Sequence, residues 1–301
     1  MGLKLFFHNL KYLGQINLKH LKQEQNKISL DDIYTNVNLM LDNQRYELPN
    51  NPYQISKPAI CGFEETLDAL LASDASFIRF GDGEVFLIEG KSIGFQKANP
   101  QLSKRLREIL RSQEKNIFIG INYHYYYADL SNFHDYVKFV YRSFITPIRE
   151  MLSTHLLANK NYYATGVTGL YNTVKNYDFE TWFAKWRKLW EGKEITVICG
   201  DRVFKNIHHN IFDNARSIHY QYIPSADAFA SYDKILQQAN TISSDRLIIL
   251  IAGPTAKPLA FDLARQGRRV LDLGHLAKDY DAYRKAMKTD KITIGKFYEP
   301  D

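Results

Sequence analysis

The chain has 301 residues, 45% of them hydrophobic, with 20 Tyr and 18 Phe, a composition that buries a sizeable core and is not disordered or fibrous. Its net charge of +6 points to an anionic partner; with no RNA-binding aromatic signature and no Cys/His zinc spacing, nucleic acid is not the expected one. The two cysteines, Cys61 and Cys199, lie too far apart in the chain to form a disulfide framework and fit a reducing cytoplasm.

No apolar run reaches the ~18 residues a spanning helix needs. The opening MGLKLFFHNLKYLGQINLKHLK is interrupted by lysines and has no small-residue cleavage site, so it does not read as a signal peptide. Residues 1–23 carry Lys4, Lys11, Lys19 and Lys22 and no acid, with Leu3, Phe6, Phe7, Leu10, Leu13 and Ile16 on one helical face. Such a helix suits a peripheral contact with the anionic inner face of the cell membrane, or packs on the rest of the protein or on a second copy in a homo-oligomer. ELPNNPYQISKP holds three prolines and reads as a linker, so residues 1–58 are expected to be an N-terminal helical extension and linker, and 59–301 the main domain.

From Ala59 helices and strands alternate. GFEETLDALLAS reads as a helix, SFIRF as a strand, LSKRLREILRS as a helix and NIFIGI as a strand. YVKFVYRSFITPIREML is a longer helix, NYYATG a strand, and FETWFAKWRKLW a helix with its tryptophans on or near one face. EITVICG and SIHYQYIP are strands, YDKILQQAN a helix, RLIILIAG a strand, TAKPLAFDLARQG a helix and RRVLDLG a last strand. This order predicts an α/β, Rossmann-like fold with a mostly parallel sheet and helices on both faces. In such sheets ligands bind beyond the carboxyl ends of the strands.

Four strand ends carry candidate chemistry. In RFGDGE, Asp82 and Glu84 flank Gly83 just after Arg79 and Gly81. A dinucleotide fingerprint fails there, because Phe86 stands where the third glycine belongs, and no Walker lysine is present. A solvated turn leaves Arg79 and Glu84 unexplained. The remaining reading is a divalent metal site in a loop, two hard oxygens converging on Mn²⁺ or Mg²⁺ completed by substrate phosphates. Gly253, Pro254 and Thr255 lead from a buried strand into a helix, with Thr255 the expected N-cap and the helix start a phosphate site, or else an ordinary turn. In ICGDRVF, Arg202 suits a phosphate clamp and Asp201 a base or the arginine's partner. In LDLGHLAKDYDAY, His275 follows a strand-ending glycine, with Asp279 and Asp281 beyond it. The tyrosines of NYHYYY suit stacking or a half-buried patch, and His208 and His209, being adjacent, cannot share a metal on one helix face.

Together FIRFGDGE, CGDR, AGPTAKPLAFDLARQG and LDLGHLAKDYDAY resemble the GT-D type bacterial glycosyltransferases, over about residues 60–285. The chain is similar to glucosyltransferases that extend glycans on serine-rich repeat adhesins. The resemblance implies that 59–301 is a catalytic domain moving a sugar from a nucleotide donor, a UDP-sugar such as UDP-glucose, to a glycan, glycoprotein or glycolipid acceptor. It places the metal on Asp82 and Glu84 and the donor on Arg79, Gly81, Asp82, Arg202, Gly253, Pro254 and Thr255. It leaves the base to His275, Asp201, Asp279 or Asp281. The chain departs from the family in reading Gly200-Asp201-Arg202 for G-E-R and Ala277 for an acid. The competing expectations are a metal-dependent phosphohydrolase or phosphotransferase, and a non-catalytic glycan- or membrane-binding module.

Overall fold

The computed structural model describes residues 57–127 and 130–289, together with the single helical position Val37. The expected basic helix and nearly all of the expected linker lie outside the described residues. In chain order the elements are β1 (Ala59–Ile60), α1 (Phe63–Leu71), β2 (Ser76–Arg79), α2 (Asp82–Ile88), α3 (Pro100–Leu110), β3 (Ile117–Ile121), α4 (Asp135–Ser153) and β4 (Asn161–Ala164). There follow α5 (Phe179–Arg187), β5 (Glu194–Gly200), β6 (Ser217–Ile223), α6 (Tyr232–Asn240), β7 (Leu247–Ile251), α7 (Ala256–Arg265), β8 (Val270–Asp272) and α8 (Leu276–Arg284). Among the described residues no helix is long and apolar enough to cross a membrane.

All eight strands join one sheet in the order β1-β4-β3-β2-β8-β7-β5-β6, and every pairing is parallel. A parallel sheet must be covered on both faces, and the strands alternate accordingly. Phe77, Ile195, Val197, Leu247 and Ile249 join the core on one face, with Leu67 and Leu70 of α1, Trp182 and Trp186 of α5, and Leu276 of α8. Ile78, Ile198, Ile248 and Leu250 join the other, with Leu102 and Leu106 of α3, Ile235 of α6, and Leu259 and Leu263 of α7. The tryptophans of the predicted aromatic helix, Trp190 just beyond its end included, are all buried.

The connections fix where a ligand can enter. β5 leads outward to the edge strand β6, whereas its neighbour β7 leads the opposite way to β8. That divergence opens a crevice at the carboxyl ends of β5 and β7, the usual binding place in open α/β sheets.

Three details differ from the sequence expectations. β1 was hidden by its shortness and pairs with β4 at the sheet edge. Asp82 and Glu84 do not lie in a loop: they open α2, because the Glu84 carboxylate reaches back to the Gly81 amide at 2.7 Å and closes the first turn. α8 had no predicted helix, and it carries two acids that fasten loops. Asp279 is fully buried and accepts from the Tyr171 amide at 3.0 Å, the Asn172 amide at 3.1 Å and the Asn172 side chain at 2.7 Å. Asp281 accepts from the amides of His208 and His209 at 3.1 and 2.9 Å and from Lys285.

Burial raises the Asp279 carboxyl to about 7 against the pull of those N–H groups. A raised carboxyl adds most stability below its unfolded pKa and loses it as pH rises through the folded value. Asp279→Ala strands three buried donors and should cost about 3 kcal/mol in urea unfolding, with a larger penalty at pH 5 than at pH 8; an equal penalty at both would contradict this role.

Candidate active site at the carboxyl edge

β2 ends at Arg79, whose amide donates to the Asp272 carboxylate at 3.2 Å across to β8, and whose Nε donates to the Thr165 carbonyl at 3.1 Å beyond β4. Its guanidinium is packed against Gly274, which has φ +46°; any side chain there would run into Arg79. The arginine is therefore fixed at the sheet edge beside His275.

The two acids of the D-x-E stretch have different environments. Glu84 is buried, with Oε2 on the Gly81 amide and Oε1 at 2.9 Å from Lys257 Nζ. Burial alone would raise its carboxyl; the Lys257 ammonium, the Gly81 amide and Arg79 outweigh that and hold it below the ordinary value. Lys257 is itself buried, and also meets Asp272 at 3.1 Å and the Gly253 carbonyl at 3.1 Å. Asp82 faces solvent, with Oδ1 on the Gly83 amide at 2.9 Å and no partner for Oδ2 among the described residues. The dense packing behind it, and then the Glu84 charge, push its carboxyl above the ordinary value.

This donor set decides how a metal fits. Among the described residues no group of three or more His, Cys, Asp or Glu can enclose an ion. A divalent ion held by one carboxylate and completed by substrate phosphates needs no such cage, and Asp82 offers the open oxygen for it. Glu84 already spends its charge on an ammonium.

The crevice itself has two parts. A narrow cleft of about 110 Å³ runs between Gly200, Ile251, Gly253, Pro254, His275 and Lys278. Gly253, Pro254 and Thr255 form a 3-10 turn into α7, with Gly253 at φ +52°. The Thr255 hydroxyl does not cap α7 as expected; it is buried without a hydrogen-bond partner among the described residues. His275 loses basicity to burial first, then to Arg79, Lys278 and Lys257, which bring it down to about 3, so the imidazole is neutral. A wider cavity of about 480 Å³ opens beside the cleft, at Asp201, Arg202, Tyr222 and Ser225.

The structure thus gathers Arg79, Asp82, Gly253, Pro254, His275, Asp201 and Arg202 along one sheet edge. Asp279 and Asp281, expected as candidate bases, do not join it: their oxygens are taken by the 171–172 and 208–209 backbones. The tyrosines after β3 form a packed aromatic patch in which Tyr123 stacks on Tyr127 at 4.7 Å. Sequence reasoning passed over Lys257, Asp272, Lys278 and Tyr222. Lys257 had a signal, as a lone lysine in the apolar run of TAKPLAFDLA, where a buried charge needs a partner.

The family described as glycosyltransferase GT-D fold matches residues 77–299. A probable glycosyl transferase Gly from Streptococcus gordonii is 31% identical over 239 residues, 75% of this chain and 33% of its own length. Glycosyltransferase GlyD from Streptococcus pneumoniae serotype 4 is 28% identical over 241 residues, 76% of this chain and 28% of its own length. The chain therefore spans about a third of the curated relatives it matches. A solved structure described as a new glycosyltransferase (DUF1792) from Streptococcus sanguinis superposes with a TM-score of 0.71 at 30% identity, covering 76% of this chain and 86% of that one. A second, described as domain of unknown function 1792 with a distinct glycosyltransferase fold, gives 0.73 at 24% identity over 87% and 95% of the two chains, a likeness of fold. With most of its sheet and every strand end of the crevice inside the matched span, the chain belongs to the glycosyltransferase GT-D fold family.

Proposed function

We propose that this chain transfers a sugar from a nucleotide-sugar donor, a UDP-sugar such as UDP-glucose, to a hydroxyl of a glycan, glycoprotein or glycolipid, with Asp82 holding Mn²⁺ or Mg²⁺. The observation that carries the proposal is the crevice at the β5/β7 divergence, where Lys278, His275 and the turn into α7 line a narrow cleft and the charge of Arg79 bears on His275. The relatives' names as glycosyltransferases support the reaction class.

The leaving group of such a transfer is a nucleoside diphosphate, with its charge concentrated on phosphate oxygens. Arg79 is fixed by Thr165 and Gly274, so it presents positive charge without reorganising. The turn at Gly253–Thr255 faces the same cleft and adds the positive end of α7. When bound, the divalent ion at Asp82 supplies the rest of the neutralisation. His275 lines the cleft as a neutral imidazole and is the proposed base for the acceptor hydroxyl. Two of the cations that depress it, Arg79 and Lys278, lie where a bound diphosphate would offset their charge, so donor binding raises its basicity; the third, Lys257, is already answered by Glu84 and Asp272. A cytoplasmic location, homo-oligomer formation and contact of residues 1–23 with the inner membrane face complete the proposal.

Two experiments follow. Asp82→Asn should abolish sugar transfer at limiting metal while leaving the unfolding midpoint unchanged, because Asp82 is exposed. Glu84→Gln should instead cost roughly 3 kcal/mol of stability by removing one of the two carboxylates on the buried Lys257. Asp82→Asn activity within about twofold of wild type would remove the metal role.

The second concerns pH. The kcat/KM profile reports the free enzyme and kcat the loaded one. With His275 at about 3 in the free protein, kcat/KM should show no His275 limb near pH 6. The kcat profile should lose activity on acidification at a higher pH, and His275→Ala should remove that limb and lower kcat by roughly 10²–10⁴-fold with nucleotide affinity little changed. Loss of nucleotide affinity with kcat intact would make His275 a donor-binding residue.

A further inference from the structure

Resting on the sugar-transfer reading, we infer that Phe95 shields the reacting carbon from water. Gln96 and Asp227 hold its ring over the cleft, so that the sugar passes to the acceptor hydroxyl and is not lost to hydrolysis.

The connection between α2 and α3 contains a tight hairpin. The Ile93 amide donates to the Gln96 carbonyl at 2.9 Å and the Gln96 amide to the Ile93 carbonyl at 3.3 Å. That pairing leaves Gly94 and Phe95 as a two-residue tip, with glycine in the first position, where such tips favour it. Ile93 packs against the hydrophobic core, but Phe95 belongs to neither core of the sheet. It borders the narrow cleft on one side and the wide cavity on the other. A large aromatic side chain kept out of the core and placed over a polar crevice is not explained by stability.

The tip is fixed from outside. The Asp227 amide donates to the Phe95 carbonyl at 2.8 Å. The buried Gln96 side chain donates to Asp227 Oδ1 at 2.6 Å, and the Lys97 amide donates to the same oxygen at 3.3 Å. Asp227 takes φ +50° to make these bonds, a conformation aspartate tolerates better than most residues. Three hydrogen bonds thus tie the hairpin to the segment after β6, and Phe95 is a fixed wall of the crevice.

Position gives the ring its role. The reacting carbon lies between the ion on Asp82, which holds the leaving diphosphate, and His275, which takes the acceptor proton. The hairpin spans these two limits. Ile93 packs on Gly83, next to Asp82, where an added Cβ would sit 3.2 Å from its Cδ1. Phe95 packs on Gly253, which borders the cleft together with His275, and an added Cβ there would sit 3.1 Å from the ring. In transfer the bond from the sugar carbon to the diphosphate oxygen breaks, and its electron pair leaves with the nucleotide. The acceptor oxygen bonds to the carbon and gives its proton to His275. Water can follow the same course and release free sugar. A fixed apolar ring over that point denies water a place without offering it a hydrogen bond, and exclusion of water is what suppresses such side reactions.

The test is release of free glucose from UDP-glucose, GDP-glucose and dTDP-glucose with Mn²⁺ and no acceptor, by the full chain and its Phe95→Ala, Phe95→Leu and Asp227→Gly variants. Nucleoside diphosphate affinity is measured alongside by calorimetry. Wild type should bind one nucleotide and release glucose slowly. Phe95→Ala should release it roughly tenfold faster or more at saturating donor, with nucleotide affinity little changed, and Phe95→Leu should return the rate toward wild type. Asp227→Gly keeps the backbone at ease and deletes the side-chain tie, so it should raise the rate in the same direction with Phe95 intact. A merely structural role would lower the rate in these variants and never raise it. Phe95→Ala that binds the nucleotide as wild type does but releases glucose no faster would overturn the inference alone. A fall in nucleotide affinity with an unchanged rate at saturation would also overturn it, by making Phe95 a donor-binding residue. If wild type binds none of the nucleotides, the sugar-transfer reading fails and the inference with it.

Discussion

The buried ammonium of Lys257 holds the carboxyl edge of this sheet together. It stands 2.9 Å from Glu84 on α2 and 3.1 Å from Asp272 at the end of β8, and hydrogen-bonds the Gly253 carbonyl after β7. Asp272 in turn receives the Arg79 amide from β2. Three strand ends and two helix starts thus meet on one positive charge. A buried charge without partners is strongly unfavourable, whereas one with two carboxylates and a carbonyl is satisfied. Asp82 and Glu84 stand close together in the chain because Glu84 belongs to this interior tie, and Asp82 alone turns outward.

From that tie the edge divides into regions of different charge. Toward β8 and β7 it is positive: Arg79, Lys278 and Lys257 all bear on His275 and depress it. Toward β5 and β6 it presents Asp201, which the Ser225 hydroxyl and, to a smaller extent, the Arg202 charge hold below the ordinary carboxylate value. The same cations make the proton affinity of His275 sensitive to charge placed in the cleft.

The sheet was readable from sequence because burial on both faces leaves unbroken runs such as LIILI and ITVIC, and parallel strands need helical crossovers between them. The positions of Arg79, Asp82, Gly253, His275, Asp201 and Arg202 along one edge followed from their places at strand ends. What could not be read was the direction each acid faces. Asp279 and Asp281 follow His275 closely, yet α8 turns them toward the 171–172 and 208–209 backbones. Glu84 looked like a surface ligand because its partner lies 173 residues away on α7. Tyr222 was indistinguishable from other strand tyrosines until β6 proved to be the sheet's edge.

The most direct measurement is the unfolding free energy of wild type and Lys257→Met in EDTA, at pH 5 and pH 8. If the ammonium, and not a metal ion, relieves the Glu84 charge, wild type is folded without divalent ions. Lys257→Met then loses about 3–5 kcal/mol at pH 8. The loss shrinks at pH 5, where the Glu84 carboxyl, buried and no longer held down by Lys257, takes up a proton. A wild type that unfolds in EDTA, or a Lys257→Met chain as stable as wild type at pH 8, would contradict the account.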